Sequence, residues 1–547
     1  MRALVLDGYT DEPACLGVPP YISPHARLAF GALIDSGAQV DYFTIDQWRA
    51  GNIKPEKYAL LAVIRNISVP GKYLRGMPAS DRELFLIAES FKGTKLASLG
   101  IAPARLNKPL LSAFDHVSSE DFDASLHDLV SSGSFVDRRR TPDEWERWLQ
   151  LGARACMMHP DFGRQLMAEV QMYRGCVRYT SGGCSFCIEP LLGRVIVREP
   201  DDILKEVVTL AGVGVRNFRL GAQSCVYCYK SEEIGESETP VPNPDAIEKL
   251  LKGIRDRAAP DILHLDNANP AVIAIHPKES REVTSAIARY CTSGNVLAFG
   301  LESADPEVTK ANNLNATAEQ TLEAVRIVNE IGSARGATGL PLVLPGINFV
   351  CGLMGESKNT YRLNLDFLRR VLSEGLMLRR INIRQVIPSR DEFPGVASRS
   401  EFERFKRMVR NEIDAPMLDR LVPDGTVLRS VYAEIREGGR TLGRQVGSYP
   451  LLVSFPYPVE PGSKVDAAVI GRSFRSVTGV VHPTNANSAT LSMLETVPGI
   501  GRKRATAIIR RRPFSSADEL WALIDEPKAL ASAQFHLSVG NEVIHGQ

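Results

Sequence analysis

Histidine is scarce in this chain, 9 in 547 residues, and tryptophan scarcer still at 4. Cysteine also stands at 9, too few for a disulfide scaffold in a chain of this length. Charge of one sign is missing as well. Lys and Arg total 65 against 64 for Asp and Glu, a net of +1. That excludes a wholesale basic polymer-binding protein, while leaving room for a local basic patch. Long apolar runs are absent. The N-terminus meets Asp7 straight after Ala3-Leu4-Val5-Leu6, too early for a signal peptide. The most apolar later stretch, Gly339 to Gly355, is broken by Pro341, Pro345 and Asn348 and does not read as a membrane span. No internal repeat is visible. The expectation is a cytoplasmic protein with no membrane partner, whose thiols stay reduced and can hold metal.

What is present is ordinary for a globular protein: 44% apolar and 24% charged residues. At roughly 100–200 residues per domain, the length allows about three or four domains. Ala3 to Leu6 reads as a strand, Ala26 to Ser36 as a helix stopped by Gly37, and Val40 to Thr44 and Ala59 to Ile64 as further strands. Strands alternating with helices predict an α/β fold with a doubly wound, Rossmann-like first domain over 1–140. Such units bind ligands at the carboxyl ends of their strands, here the loop Asp7 to Gly17. A second α/β run follows over 141–395. Alternating charge predicts a helical connector over 396–448, turn-rich alternation a small β-rich module over 449–485, and the tail 486–547 reads as helical.

Three cysteines stand as Cys-x7-Cys-x2-Cys at Cys176, Cys184 and Cys187. Thiolates are soft ligands for iron–sulfur clusters or zinc. Three fall short of the four that a structural zinc site takes, and suit a [4Fe-4S] cluster with one iron open to an outside ligand. Gly175, Gly182 and Gly183 let the loop curl, and Phe186 can shield a cluster from water. Free buried cysteines, or a zinc knuckle completed from elsewhere, remain the alternatives. A second pair, Cys225 and Cys228, lacks an obvious other half and reads as two chance cysteines in a loop, with ligands to a second cluster or to zinc as the alternative.

Around the triad, residues 170–395 resemble the radical S-adenosylmethionine (radical SAM) superfamily. The family spacing is Cys-x3-Cys-x2-Cys, and the first gap here is longer. The strand Val215 to Gly221 resembles the one whose edge meets the methionine amino group. Val296 to Ser303, ending Gly300-Leu301-Glu302-Ser303, looks like a strand of the Elp3-like branch, and Gly352-Leu353-Met354-Gly355-Glu356 like a later strand-to-loop element. The resemblance implies a partial (β/α)6 barrel, a [4Fe-4S] cluster, SAM as the source of a 5′-deoxyadenosyl radical, and an electron donor as partner. It also implies cofactor-binding roles for Gly221, Glu302, Ser303, Gly352, Gly355 and Arg384. For Ser303 and Glu302, capping of the helix at Asp305-Pro306-Glu307 is the alternative, and for Arg384 a plain salt bridge.

The first domain resembles the cobalamin-binding-like domain found before many such barrels. The cobalt-ligating Asp-x-His-x-x-Gly is missing, and the first histidine is His25, so no tightly bound cobalamin is expected. At the other end, Leu494 to Ala505 resembles a helix-hairpin-helix motif around Pro498-Gly499-Ile500-Gly501, as in archaeal-type radical SAM proteins with such a domain. Arg502, Lys503, Arg504, Arg510, Arg511 and Arg512 follow with no acid before Pro513. Backbone N–H groups at a helix start and clustered cations together suit phosphate. The expected nucleic-acid contacts are Gly499, Ile500, Gly501, Arg502, Lys503 and Arg504. Three readings are therefore carried. The first is a radical SAM enzyme modifying nucleic acid such as tRNA, with DNA as the other candidate. The second acts on a protein or small molecule with the hairpin as docking element. The third is a non-catalytic nucleic-acid-binding metalloprotein.

Overall fold

The computed structural model describes residues 1–12, 15–66, 73–100 and 108–540. Pro13 and Ala14 of the expected crevice loop and residues 541–547 of the expected tail domain lie outside them.

Strand β1 (Arg2–Asp7) is followed by a short strand β2 (Tyr21–Ile22) and helix α1 (Pro24–Asp35). Strands β3 (Gln39–Thr44), β4 (Leu60–Ile64), β5 (Thr94–Ser98) and β6 (His116–Val117) join β1 in a parallel sheet of order β3-β1-β4-β5-β6. That is a doubly wound order. Helix α1 starts because Ser23 accepts from the Ala26 N–H and Pro24 sits in the first turn.

The expected boundary after residue 140 is not where packing divides. Helix α2 (Pro142–Gly152) lies directly on α1: a Cβ on Gly31 would strike the Trp148 carbonyl, and one on Gly152 the Arg27 carbonyl. Leu28, Ala32, Trp145, Trp148 and Leu149 form one apolar cluster across that contact. Arg27 of α1 also reaches Glu206 of helix α3 (Pro200–Gly212) at 2.6 Å. Charge patterning and the Arg138-Arg139-Arg140 run mimic a linker, but Arg140 is buried against Asp121 and Asp123.

Six parallel strands follow: β7 (Met167–Gln171), β8 (Asn217–Gly221), β9 (Ile262–Leu265), β10 (Asn295–Glu302), β11 (Val343–Cys351) and β12 (Arg380–Gln385). They form two sheets, β9-β8-β7-β2 and β10-β11-β12, bridged between Ala268 and Phe299. Strand β2, from the first domain, is thus an edge strand of the second, with Tyr21 opposite Met167. Inside, Arg219 is ion-paired with both Glu169 and Asp266, all three side chains fully buried. Glu169 also accepts from the Leu16 N–H at 2.6 Å, and Asp266 from the Tyr449 hydroxyl at 2.8 Å.

The connector is helical only in its first half, as α4 (Arg399–Met408) and α5 (Ala415–Leu421) joined by a π-helical turn. From Val427 the chain is β. Strands β13 (Val427–Glu437), β14 (Arg440–Gln445), β15 (Leu452–Phe455), β16 (Lys464–Arg472) and β17 (Ser476–Val481) close a barrel of order β13-β14-β15-β17-β16. The expected 449–485 module therefore begins too late. Two register shifts in β13, between Leu428 and Val431 and between Ala433 and Ile435, break its two-residue period.

His264 ties this barrel to β9. Its Nδ1 accepts from the Ser448 N–H at 3.1 Å, and its Nε2 lies 3.0 Å from the Thr292 carbonyl. Burial holds the ring neutral, down to about 4. An unfolded chain takes that proton near pH 6.5. Its folded value is depressed, so the unfolded state binds more protons between those limits. We expect stability to fall as pH drops from about 6.5 to about 4, and the fall to be shallower in His264→Gln, checked by melting temperature against pH. No helix is long and apolar enough to cross a membrane among the described residues.

Candidate cofactor site

The cysteine loop opens after β7 and turns through left-handed glycines at Gly182 (φ +79) and Gly183 (φ +60). A Cβ on Gly183 would overlap Pro190, so the turn tolerates nothing larger. The segment following β10 pins the loop. Ser185 N–H donates to the Asn312 carbonyl at 3.0 Å, and the Asn313 amide to the Gly183 carbonyl at 2.9 Å. Cys184 and Phe186 sit on an apolar shelf of Val308, Leu314 and Leu353.

Arg178 organises the thiols. Its backbone N–H donates to Cys176 Sγ at 3.5 Å and its guanidinium to Cys184 Sγ at 3.3 Å, while Asn313 and Glu238 hold its other nitrogens. Burial pushes all three thiols up, Cys176 to about 11. Alone they stay protonated, and a metal centre is what would draw their protons off. Among the described residues, no three His, Cys, Asp or Glu side chains are placed to hold a single metal ion.

Glu302 ends β10 in the left-handed region (φ +62), just past a bulge at Gly300. Its carboxyl is pushed up to about 8 by burial, opposed by Arg384, and it in turn raises the Cys184 thiol. Its Oε2 is buried with no hydrogen-bond partner among the described residues. An orphaned oxygen at a strained strand end, beside the triad, fits a polar group of a bound cofactor.

The other expected contacts divide. Ser303 is fully buried and its hydroxyl accepts from the Asp305 N–H at 3.1 Å, so it serves the helix start at Asp305 rather than facing the site. The space before Gly221 is filled by Glu169 and Arg219, so this glycine has a packing reason of its own. Gly352 (φ +90) has the Gly395 backbone 3.0 Å from where its Cβ would stand, and Gly355 faces Ala311. Neither opens onto a free space. Arg384 lines the cavity described below. Cys225 and Cys228 are buried, with Asn269 N–H donating to Cys225 Sγ at 3.2 Å and the Cys228 thiol to the same sulfur.

In the tail, helices α6 (Leu491–Thr496) and α7 (Arg502–Arg511) flank the glycine turn. Ile500 is completely buried and belongs to the core, not to a binding face. Arg504 pairs with Asp525 and Glu526 at 3.0 and 3.1 Å. Arg502, Lys503, Arg510 and Arg511 are exposed. Gly499 (φ +80) lies against Ala529, whereas Gly501 has a negative φ and open space. Gly499→Ala should therefore cost about 1–2 kcal/mol, and Gly501→Ala clearly less, read as melting temperatures.

Residues 170–350 match the model of the radical SAM superfamily. This segment is a radical SAM superfamily domain. An uncharacterized protein of Methanocaldococcus jannaschii is 44% identical over 507 residues, covering 88% of this chain and 93% of its own length, and the two belong to one family. A tRNA-2-methylthio-N(6)-dimethylallyladenosine synthase of Syntrophobacter fumaroxidans is 22% identical, covering 68% of this chain and 76% of its own. Among solved structures, the radical S-adenosylmethionine methyltransferase TsrM of Kitasatospora setae, with cobalamin and a [4Fe-4S] cluster bound, aligns over 100% of this chain and 93% of its own at 14% identity and a TM-score of 0.45. The radical SAM chain is an enzyme whose cofactors are a [4Fe-4S] cluster and SAM.

Arg178 was missed in the sequence. Its position two residues after Cys176 is a signal, since a cation within the loop can donate to the thiolates.

Proposed function

We propose that this radical SAM enzyme modifies a nucleic acid, with a structured RNA such as tRNA as substrate. The observation that carries the reading is the five-stranded barrel packed on the radical SAM strands through His264 and Tyr449, followed by the basic hairpin. By analogy of fold, small five-stranded barrels of this kind take up oligonucleotides. The hairpin adds exposed cations at Arg502, Lys503, Arg510 and Arg511, which grip phosphate without reading bases. The similarity to a tRNA-modifying synthase supports an RNA target.

When bound, the cluster and SAM supply one-electron chemistry ending in hydrogen abstraction, fed by an electron donor. The chain's own parts are assigned as follows. Cys176, Cys184 and Cys187 hold the cluster, and Arg178 places positive charge beside two of the sulfurs. Phe186 and its shelf keep water off one side. Glu302 and Arg384 orient the polar end of SAM.

Replacing Arg502, Lys503 and Arg510 by Gln together should weaken RNA binding by a similar factor for every sequence tested and make the slope of log affinity on log salt shallower. Arg504 is left intact because it holds Asp525 and Glu526. Filter binding at several salt concentrations reads this out. An unchanged affinity and slope would remove the hairpin from recognition and turn the reading toward a protein or metabolite substrate.

A further inference from the structure

A cavity of about 590 Å³ lies where the radical SAM strands meet the first domain and the five-stranded barrel. It is bordered by β2 through Tyr21, by β12 through Arg380, Asn382 and Arg384, and by Arg444 and Tyr449 of the five-stranded barrel. Strands β2 and β12 are the outer edges of the two radical SAM sheets, so the cavity occupies the seam between them. That volume is within the range of small-ligand sites.

Its charge is one-sided. Arg379, Arg380, Arg384, Arg444 and Arg475 border it, against Asp414 as the single acidic lining residue. Arg475 pairs with Asp414 at 3.3 Å, and Arg444 with Glu434 at 2.6 Å. Arg379 and Arg380 are different. Among the described residues no carboxylate pairs with either. Arg379 donates to the Tyr449 carbonyl at 2.8 Å, and its buried Nε has no partner. Arg380 stands 4.3 Å from the centre of the Tyr449 ring, which is held in place by its hydroxyl on Asp266. Two adjacent guanidinium groups, always charged, are left facing a cavity without an anion of the protein's own. Burial and the Arg380 charge bring Arg379 down to about 10, a cost that a bound anion would relieve.

We infer that this seam cavity is the substrate site and takes a nucleotide, its phosphate held by Arg379 and Arg380 and its base lying among the aromatic side chains of Tyr449 and Tyr73. Paired guanidinium forks match phosphate oxygens, and a flat aromatic face suits a nucleobase. Arg384 joins the two halves of the system. It lines the cavity, and its charge is felt by Glu302, which in turn raises the Cys184 thiol. A nucleotide seated here is therefore on the approach to the cofactor end. The inference rests on the proposed function for the word substrate; the anion site itself does not. The nucleotide can come from an RNA or from a free phosphorylated metabolite, and the chemistry of recognition is the same.

The test uses the full-length holoprotein and three probes: AMP, adenosine and total tRNA. The parent is expected to bind AMP at least about tenfold more tightly than adenosine, because only AMP offers phosphate oxygens to the two guanidinium groups. Arg380→Gln and Arg379→Gln should each lose about tenfold or more in AMP affinity, and Arg380→Lys should recover only part of it, because Lys lacks the fork. Bound iron and melting temperature report whether each variant is folded. If Arg379→Gln fails that control, the Arg380 pair decides. Competition separates the sources: tRNA displacing AMP in the parent supports an RNA-borne nucleotide, while AMP binding untouched by tRNA supports a free metabolite. Equal affinity for AMP and adenosine, or variants that bind AMP like the parent, overturns the inference. A parent that binds AMP through these arginines but cleaves no SAM under reduction overturns the proposed function and leaves the anion site standing.

Discussion

Replacing any one of Cys176, Cys184 or Cys187 by Ala abolishes bound iron and SAM cleavage, while Cys228→Ala leaves both largely intact: that is the result expected from the loop geometry. The three thiols share one loop, and two of them already accept from Arg178. Each is too weakly acidic to ionise unaided, so the loss of one ligand leaves the others protonated and the core unanchored. Cys225 and Cys228 are instead buried away from the loop, where the Cys225 N–H donates to the Tyr173 hydroxyl and the Asn269 N–H to Cys225 Sγ. Iron analysis and the visible absorption of anaerobically reconstituted protein measure the first effect, and 5′-deoxyadenosine formation the second. If Cys228→Ala loses a large share of the iron, the pair belongs to a second cluster.

The second large effect is structural. Arg219 stands between Glu169 and Asp266, ion-paired with both, and all three side chains are fully buried. Arg219→Met leaves two carboxylates facing each other in the core, a loss of about 3–5 kcal/mol. The damage spreads because Glu169 also holds the Leu16 N–H and Asp266 holds Tyr449. We expect a large fall in melting temperature and in soluble yield. Neutralising the carboxylates as well, in Arg219→Met with Glu169→Gln and Asp266→Asn, should recover much of it, since the triad as a whole need not be net stabilising. A single variant that melts with the parent would show that the triad carries little of the fold.

Much of this was legible in the sequence because it rests on short-range chemistry. The hydrophobic run Leu60 to Ile64 is a strand covered on both faces, and such a run needs no partner to be recognised. The cysteine loop announces itself through glycines that tolerate positive φ. The misreadings have a common cause in long-range packing. Strand β2 belongs to the second sheet only because Tyr21 lies opposite Met167, which no local pattern encodes. The β13 segment alternates charge like an exposed helix, and two bulges hide its period. Ser303 looks available on paper, yet the chain turns its hydroxyl into the helix start. Ile500 sits in the middle of a basic motif but is the residue that packs the hairpin. No local pattern singles out Arg379 and Arg380, because the cavity they line is completed by the approach of the five-stranded barrel.

The most direct test of the account is nucleoside mass spectrometry of total tRNA from a deletion strain. The account predicts that one modified nucleoside disappears, returns when the parent gene is restored, and does not return with Cys184→Ala. A nucleoside profile identical to that of the undeleted strain would contradict an RNA-modifying role.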